Sequence, residues 1–274
     1  MHDVNVRIRV FSAIITAFNS SRFRTFDVQN AIVFKRNPFG HYLFIKRWLI
    51  RILGLITWRR FNGFNNLQIQ GSDIIRQLPD TNVLFISNHQ TYFADVAAML
   101  HVFLASLAGR DDNLNYFRYL FRPKSNIYFI AAKETMKQGL LPRILAYAGS
   151  ISIERTWREK GKSINRQVRM SDISNIGKAL KGGWVITFPQ GTTRPFSTVR
   201  KGTLHIIKNY NPVVVPIVID GFRRSFDKKG IFIKKKGIKQ TMHIKPPMTF
   251  DTSLSNEELV SQIAIAIEQV PPKK

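Results

Sequence analysis

Asn82-Val83-Leu84-Phe85-Ile86-Ser87-Asn88-His89-Gln90-Thr91-Tyr92-Phe93-Ala94-Asp95-Val96-Ala97-Ala98-Met99-Leu100 passes from one kind of segment to another. Its first five residues form a short apolar, β-prone run that reads as a buried strand, and Val96 to Leu100 reads as the opening of a helix. His89 at the end of a buried strand and Asp95 at a helix entrance can form an acid–base dyad. The carboxylate would hold one imidazole nitrogen and fix the tautomer, while the other nitrogen takes a proton from a hydroxyl. The same residues also fit a plainer reading, a helix cap beside a surface His. This segment alone leaves both open.

The chain has 274 residues, enough for one large α/β domain or one domain with a small appendage. A hydrophobic fraction of 44% argues against disorder. The formal charge of +25 implies an anionic partner: nucleic acid, anionic lipid headgroups or phosphorylated ligands. Cysteine is absent, which excludes disulfides and thiolate metal sites and permits a reducing compartment. No apolar run reaches the roughly 18 residues of a membrane span, and the first residues lack the features of a signal peptide. Any membrane contact is therefore expected at the surface.

Residues 1–65 carry eleven Lys and Arg against two acids, Asp3 and Asp27. Two apolar segments lie among them, 10–18 and 42–58. In the second, Leu43, Trp48, Leu49, Ile52, Leu53 and Ile56 fall at helical spacing, with Lys46, Arg47, Arg51 and Trp58 around them. An interfacial helix is built this way, with apolar side chains in the acyl boundary and cations at anionic headgroups. A core-packed helix with a solvated basic face, or a nucleic-acid-binding arm, would use the same residues. The expected organisation is a basic, membrane-associating N-terminal segment over 1–65 and an α/β domain over 66–274.

From Leu67 onward strands and helices alternate. Strands are expected near 67–70, 82–87, 126–131, 149–153, 183–188 and 213–219, with a hairpin-like pair near 231–236 and 241–246. Helices fit near 95–107, 136–147, 170–181, 197–209 and 255–270. The last opens on a capping box of Ser255 with Glu258 and repeats apolar residues at Leu259, Ile263, Ile267 and Val270. Such alternation predicts an α/β fold, a single mixed sheet covered by helices.

Three further segments carry chemistry. Gly149-Ser150-Ile151-Ser152-Ile153-Glu154-Arg155 reads as a strand ending in an Arg, whose guanidinium suits a phosphate or, equally, a surface pair with Glu154. In Trp184-Val185-Ile186-Thr187-Phe188-Pro189-Gln190-Gly191-Thr192-Thr193-Arg194 a strand stops at Pro189. Gly191 there permits a tight turn, and Thr192, Thr193 and Arg194 offer donors to an anion. In the run from Asn211 to Ile219, Pro216 is expected to interrupt the strand ladder, because it donates no hydrogen bond.

Together and in this order, these segments resemble the glycerolipid acyltransferase family, whose best-known members are lysophosphatidic acid acyltransferases. That family shows Asn-His-x4-Asp, Gly-x-Ile-Phe-Ile-Asp-Arg, Phe-Pro-Glu-Gly-Thr-Arg and a Val-Pro-hydrophobic block. The counterparts are Asn88-His89 with Asp95, Gly149 through Arg155, Phe188 through Thr192, and Val215-Pro216-Ile217. Ala132-Lys133-Glu134 looks like the segment between the first two blocks. The resemblance covers roughly residues 67 to 247. It implies that His89 is a general base on a lipid hydroxyl that attacks an acyl thioester, with Asp95 orienting the imidazole. It further implies that Arg155 holds the acceptor's phosphate and that Gln190, Gly191, Thr192 and Lys133 contribute to substrate binding. Neither metal, cofactor nor covalent acyl-enzyme is implied.

Two departures stand out. Five residues separate His89 from Asp95 instead of four, which on a continuous helix would swing the Asp by about 100°. Gln190 replaces the family's Glu, keeping an acceptor oxygen but losing the charge, which bears on the acceptor's identity. Glu154 in place of Asp is milder. The expected activity is an O-acyltransferase making phosphatidic acid from 1-acylglycerol-3-phosphate and acyl-CoA or acyl-ACP, peripheral to the cytoplasmic face of the cell membrane. Its expected partners are the lysophospholipid, coenzyme A or acyl carrier protein, and the anionic membrane, with no nucleic acid. The alternatives are the same chemistry on another lyso-lipid, such as a lyso-aminolipid or lipid A-type precursor, and a non-catalytic basic protein binding nucleic acid or membrane.

Overall fold

The computed structural model describes residues 35–133, 144, 147–154, 158–159, 162–163, 170–251 and 253–270. The apolar segment 10–18, most of the helix expected near 136–147, and Arg155 lie outside the described residues. The chain divides into two compact units, Met1–Ile45 and Lys46–Lys274. In the first, Asn37 Oδ1 closes a turn by accepting the N–H groups of Phe39 and His41, each at 2.9 Å. The division falls earlier than residue 65 because helix α1 (Leu43–Phe61) puts Ile50 and Phe61 into the core of the larger unit.

That unit is built on one seven-stranded sheet. Its strands are β1 (Asn66–Gln70), β2 (Val83–Ser87), β3 (Ile127–Ala132), β4 (Ser150–Ile153), β7 (Trp184–Thr187), β8 (Val213–Asp220) and β9 (Lys239–Ile244), in the order β1-β9-β8-β2-β7-β3-β4. Between β4 and β7 in sequence, β5 (Arg158–Glu159) and β6 (Lys162–Ser163) form a separate antiparallel pair. Five strands, β8-β2-β7-β3-β4, run parallel, and β9 joins β8 antiparallel. The sheet is therefore mixed. Val83–Ser87 and Trp184–Thr187 are buried at every residue, as continuous apolar runs must be when helices cover both faces. At the edge, β1 alternates exposed and buried.

The longer covering helices are α3 (Ala94–Leu107), α4 (Met170–Gly182), α5 (Lys201–Tyr210) and α7 (Asn256–Ala266); α2 (Ile74–Gln77) and α6 (Phe222–Ser225) are single turns. Helix α3 is buried almost all round, and Phe103 on it packs against Phe85 of β2 with ring centroids 4.4 Å apart and planes tilted by 32°. The Ser255–Glu258 capping box is present, and Leu259, Ile263 and Ile267 are buried, whereas Val270 is exposed.

Two local expectations fail for physical reasons. Strand β8 runs unbroken through Pro216. The Pro216 carbonyl accepts from Lys245 N–H at 2.9 Å, so the side on which its own N–H is missing faces the end of β9, where pairing stops at Ile217 with Ile244. The expected hairpin does not form: residues 231–236 contribute only one bridge, Ile233 with Phe226. Asp227 Oδ1 takes the N–H groups of Ile231 and Phe232 at 2.8 and 2.9 Å, competing with a ladder, and β9 pairs with β8 and β1 instead.

Lys46 on α1 is fully buried. Its Nζ donates to the Ile127 carbonyl at 2.8 Å and lies 4.1 Å from the Tyr128 ring centroid, in space left by the absent side chain of Gly149. Burial pushes its pKa from 10.5 down to about 7. Between those values the unfolded chain binds the extra proton, so this group's contribution to stability rises with pH across that window. Replacing Lys46 with Met removes the linkage. The stability of Lys46→Met relative to wild type is expected to fall as pH is raised from about 7 to about 10, as read by urea denaturation at both ends.

Candidate active site

The parallel strands deliver their C-terminal ends to one edge of the sheet, where open α/β sheets place their sites. Just beyond β2 the Asn88 side chain behaves like a strand residue. Its Nδ2 donates to the Ile219 carbonyl and its Oδ1 accepts from Ile219 N–H, both at 2.8 Å. Pairing with β8 thus continues through a side chain while the backbone turns away.

The next residues wrap around the Asp95 carboxylate, which is fully buried. Its Oδ2 accepts from Gln90 N–H at 2.6 Å and Thr91 N–H at 3.0 Å, and its Oδ1 accepts the Thr91 hydroxyl at 2.6 Å. His89 Nδ1 lies 2.9 Å from Oδ2. A buried carboxylate is tolerable only with such donors. The bond to Oδ2 keeps the proton on Nδ1 and leaves Nε2 as the acceptor.

The extra residue between His89 and Asp95 is absorbed before the helix begins. Asp95 is only the second residue of α3, and the preceding loop is tied down where Tyr92 and Phe93 N–H groups donate to the Lys228 and Lys229 carbonyls, at 3.2 and 2.9 Å. Gly230, at φ +76°, makes this approach possible: a Cβ there would sit 2.5 Å from Ala94 N and 2.8 Å from Thr91 Oγ1.

The His89 ring stacks on Phe188, with centroids 3.9 Å apart and planes at 21°. His89 lines a cavity of about 180 Å³ together with Glu154, Thr187, Gly191, Thr192 and Arg200. A second cavity of about 310 Å³ lies between α1 and α3, walled by Leu53, Ile56, Leu100 and Leu104 among others. Tyr92, Phe93, Val96 and Phe129 line both. His101 in the second cavity's wall is bonded to Thr57 Oγ1 at 2.8 Å and Tyr119 Oη at 2.9 Å, and burial pushes its pKa down to about 3. It is a neutral core histidine with both nitrogens engaged.

The remaining sequence-derived positions fare differently. Gly191, at φ +63°, and Thr192 line the first cavity as the turn after β7. Gln190 does not line it. Its buried amide donates to the Ser197 carbonyl at 2.8 Å and to Gln269 Oε1 at 3.2 Å, which a carboxylate could not do. The Gln therefore bears on how the loop is held rather than on cavity charge. Lys133, at the end of β3, pairs with Glu154 at 3.0 Å. Thr193 donates no charge; its carbonyl accepts from Arg223 Nη2 at 2.6 Å. Sequence reading passed over Phe188 as a ring partner, Thr91 as a carboxylate donor, and Arg200 and Thr203 on the cavity wall. A Thr two residues after a strand-end His is a local signal for the second. Gly230 lies far along the chain and carries none. Among the described residues, no group of three or more His, Cys, Asp and Glu side chains comes together to hold a metal ion.

The family model described as Acyltransferase matches residues 66–220. No curated protein matches the sequence. Among solved structures, the chain is similar to the 1-acyl-sn-glycerophosphate (LPA) acyltransferase PlsC from Thermotoga maritima. The TM-score is 0.52 at 20% identity, over 81% of this chain and 77% of that one. This likeness shows the α/β fold.

Proposed function

The chain belongs to the acyltransferase family, and from that premise we propose that it moves a fatty acyl group from an acyl thioester to the free hydroxyl of a lysophospholipid. The acceptor assigned is 1-acylglycerol-3-phosphate, and the product phosphatidic acid. The observation that carries this reading is the His89–Asp95 pair on the wall of one cavity that shares four lining residues with a second, apolar one.

His89 Nε2 removes the proton of the acceptor hydroxyl as its oxygen attacks the thioester carbonyl. The C–S bond then breaks, and the departing thiolate takes the proton back from the imidazolium. Asp95 holds Nδ1–H throughout and stabilises the imidazolium that forms between the two transfers. The apolar cavity takes the acyl chain, each methylene contributing about 0.8 kcal/mol on leaving water. The thioester's carrier, coenzyme A or acyl carrier protein, is anionic, and a chain of charge +25 attracts either.

The test is acyl transfer from a labelled thioester to a panel of lyso-lipids by wild type and His89→Ala. Product from lysophosphatidic acid that falls by about 10²–10⁴ in the variant is expected. Undiminished turnover in His89→Ala, or no transfer to any acceptor with either carrier, contradicts the proposal.

The substrate is met at an anionic membrane surface. On α1, Trp48, Ile52, Leu55 and Ile56 are 43–59% exposed and, at i, i+4, i+7 and i+8, share one face. Phe121 and Tyr116 add further exposed aromatic surface, and Arg51 reaches from α1 to the Phe121 carbonyl at 3.0 Å while lying over the Trp48 ring. Apolar and aromatic side chains bordered by guanidinium groups suit the headgroup boundary. Among the described residues no helix is long and apolar enough to cross a membrane. Wild type is expected to float with vesicles containing anionic lipid, and Ile52→Glu/Ile56→Glu to bind them at least about tenfold more weakly. Equal flotation of the two would refute the docking face.

A further inference from the structure

The loop over 190–197 begins two residues after Phe188, the ring stacked on His89, and carries Gly191 and Thr192 into the wall of the His89 cavity. It has neither helix nor strand to hold it. Phe196 within it sits at φ +53°, a left-handed backbone that is unfavourable for a bulky side chain and persists only where the surroundings impose it.

The restraint comes from 79 positions further along the chain. Helix α7 closes on Glu268, at φ +54°, whose N–H donates to the Ile265 carbonyl at 3.1 Å, while Gln269 N–H donates to the Ala264 carbonyl at 2.8 Å. This paired closure is a Schellman motif, and it fixes where Gln269 leaves the helix. The Gln269 Nε2 donates to the Glu268 carbonyl at 2.8 Å, which turns Oε1 towards the loop. There Oε1 accepts Phe196 N–H at 2.9 Å and a hydrogen of Gln190 Nε2 at 3.2 Å.

Phe196 N–H decides the orientation of both amides. A donor there requires an oxygen opposite it, so Gln269 presents Oε1, and the group at 190 must then donate. The Ser197 carbonyl makes the same demand at 2.8 Å. Gln190 Nε2 has two hydrogens and meets both. A carboxylate in its place would set oxygen against two acceptors at a position only 1% exposed. On its other side the loop is tied towards His89. Arg223 Nη2 donates to the Thr193 carbonyl at 2.6 Å, and Arg223 N–H donates to Gln90 Oε1 at 3.1 Å.

We propose that Gln269 is a positioning residue for acyl transfer, and that Gln190 and Gln269 are a matched pair clasping the 190–197 loop to the end of α7. This deepens the acyl-transfer reading and rests on it for the effect on turnover. The clasp touches no substrate. It acts through Gly191 and Thr192 in the cavity wall and through Phe188 against the His89 ring. It also accounts for Gln190 where the family's block has Glu: with an acceptor fixed at 269, the residue at 190 has to be a donor.

Two measurements on the full chain test the pair. Amide hydrogen exchange read by NMR reports the clasp itself. Phe196 N–H is expected to exchange at least about tenfold faster in Gln269→Leu than in wild type, while the Ile263 amide inside α7 is unchanged. Gln269→Glu, whose carboxylate accepts the same two N–H groups, keeps Phe196 protected. In turnover, kcat/KM is expected to fall at least about tenfold in Gln269→Leu and in Gln190→Glu, and to stay within about threefold of wild type in Gln269→Glu. Gln190→Leu/Gln269→Leu loses no more than the worse of its single variants, as two halves of one contact should. Equal Phe196 exchange in Gln269→Leu and wild type overturns the clasp, and full activity in Gln190→Glu overturns the pairing. Faster Phe196 exchange with undiminished turnover overturns the positioning role. Faster exchange in a protein with no acyl transfer to any acceptor supports the clasp and removes only the reading of the reaction.

Discussion

A carboxylate with no solvent contact governs the active edge of this protein. Removing an ion from water costs several kcal/mol even after the protein relaxes, and Asp95 offsets that cost only by collecting donors from Gln90, Thr91 and His89. Those donors come from consecutive residues, so the loop must curl around the carboxylate in one particular way. The curl is held from outside by Asn88 pairing with β8, and by the Lys228–Gly230 turn pressing on the backbone of residues 91–94. A reactive geometry is thereby built into the sheet and its loops, with the His89 ring further confined by its stack on Phe188.

The same edge joins two cavities. Tyr92, Phe93, Val96 and Phe129 are walls of both the cavity that holds His89 and the apolar one. Tyr92 and Phe93 therefore both tie the loop after His89 to the Lys228–Gly230 turn and wall the apolar cavity. Helix α1 contributes Leu53, Ile56 and Thr57 to the apolar cavity and shows Trp48 and Ile52 to the outside. One helix thus links the surface of the molecule with the apolar cavity that adjoins the one holding His89.

Much of the sheet was legible because its central strands are continuous apolar runs. Val83–Ile86, Ile127–Phe129, Trp184–Ile186 and Val213–Ile219 could each be found from composition alone, and the capped last helix from Ser255 and Glu258. What escaped depended on partners distant in sequence or on competition by side chains. Pro216 reads as disruptive by itself, and the strand runs through it because pairing with the neighbouring strand stops beside it. The run at 231–236 looked like a strand because nothing local reveals that Asp227 captures its N–H groups. The His–Asp spacing looked one residue too long because the sequence does not say where α3 begins. Gln190 looked like an altered ligand contact, and its amide instead holds Ser197 and Gln269. Of the residues expected in the site, His89, Asp95, Gly191 and Thr192 could be recognised from ordered blocks.

Most direct is a test of the tautomer of His89. Long-range ¹H–¹⁵N correlation spectra at a pH where the imidazole is neutral report which ring nitrogen carries the proton, with His89→Gln identifying the signals. A protonated Nδ1 and a bare Nε2 are predicted, because Asp95 accepts from Nδ1. A neutral His89 protonated at Nε2 would contradict the account, since that nitrogen could not then accept a proton from a hydroxyl.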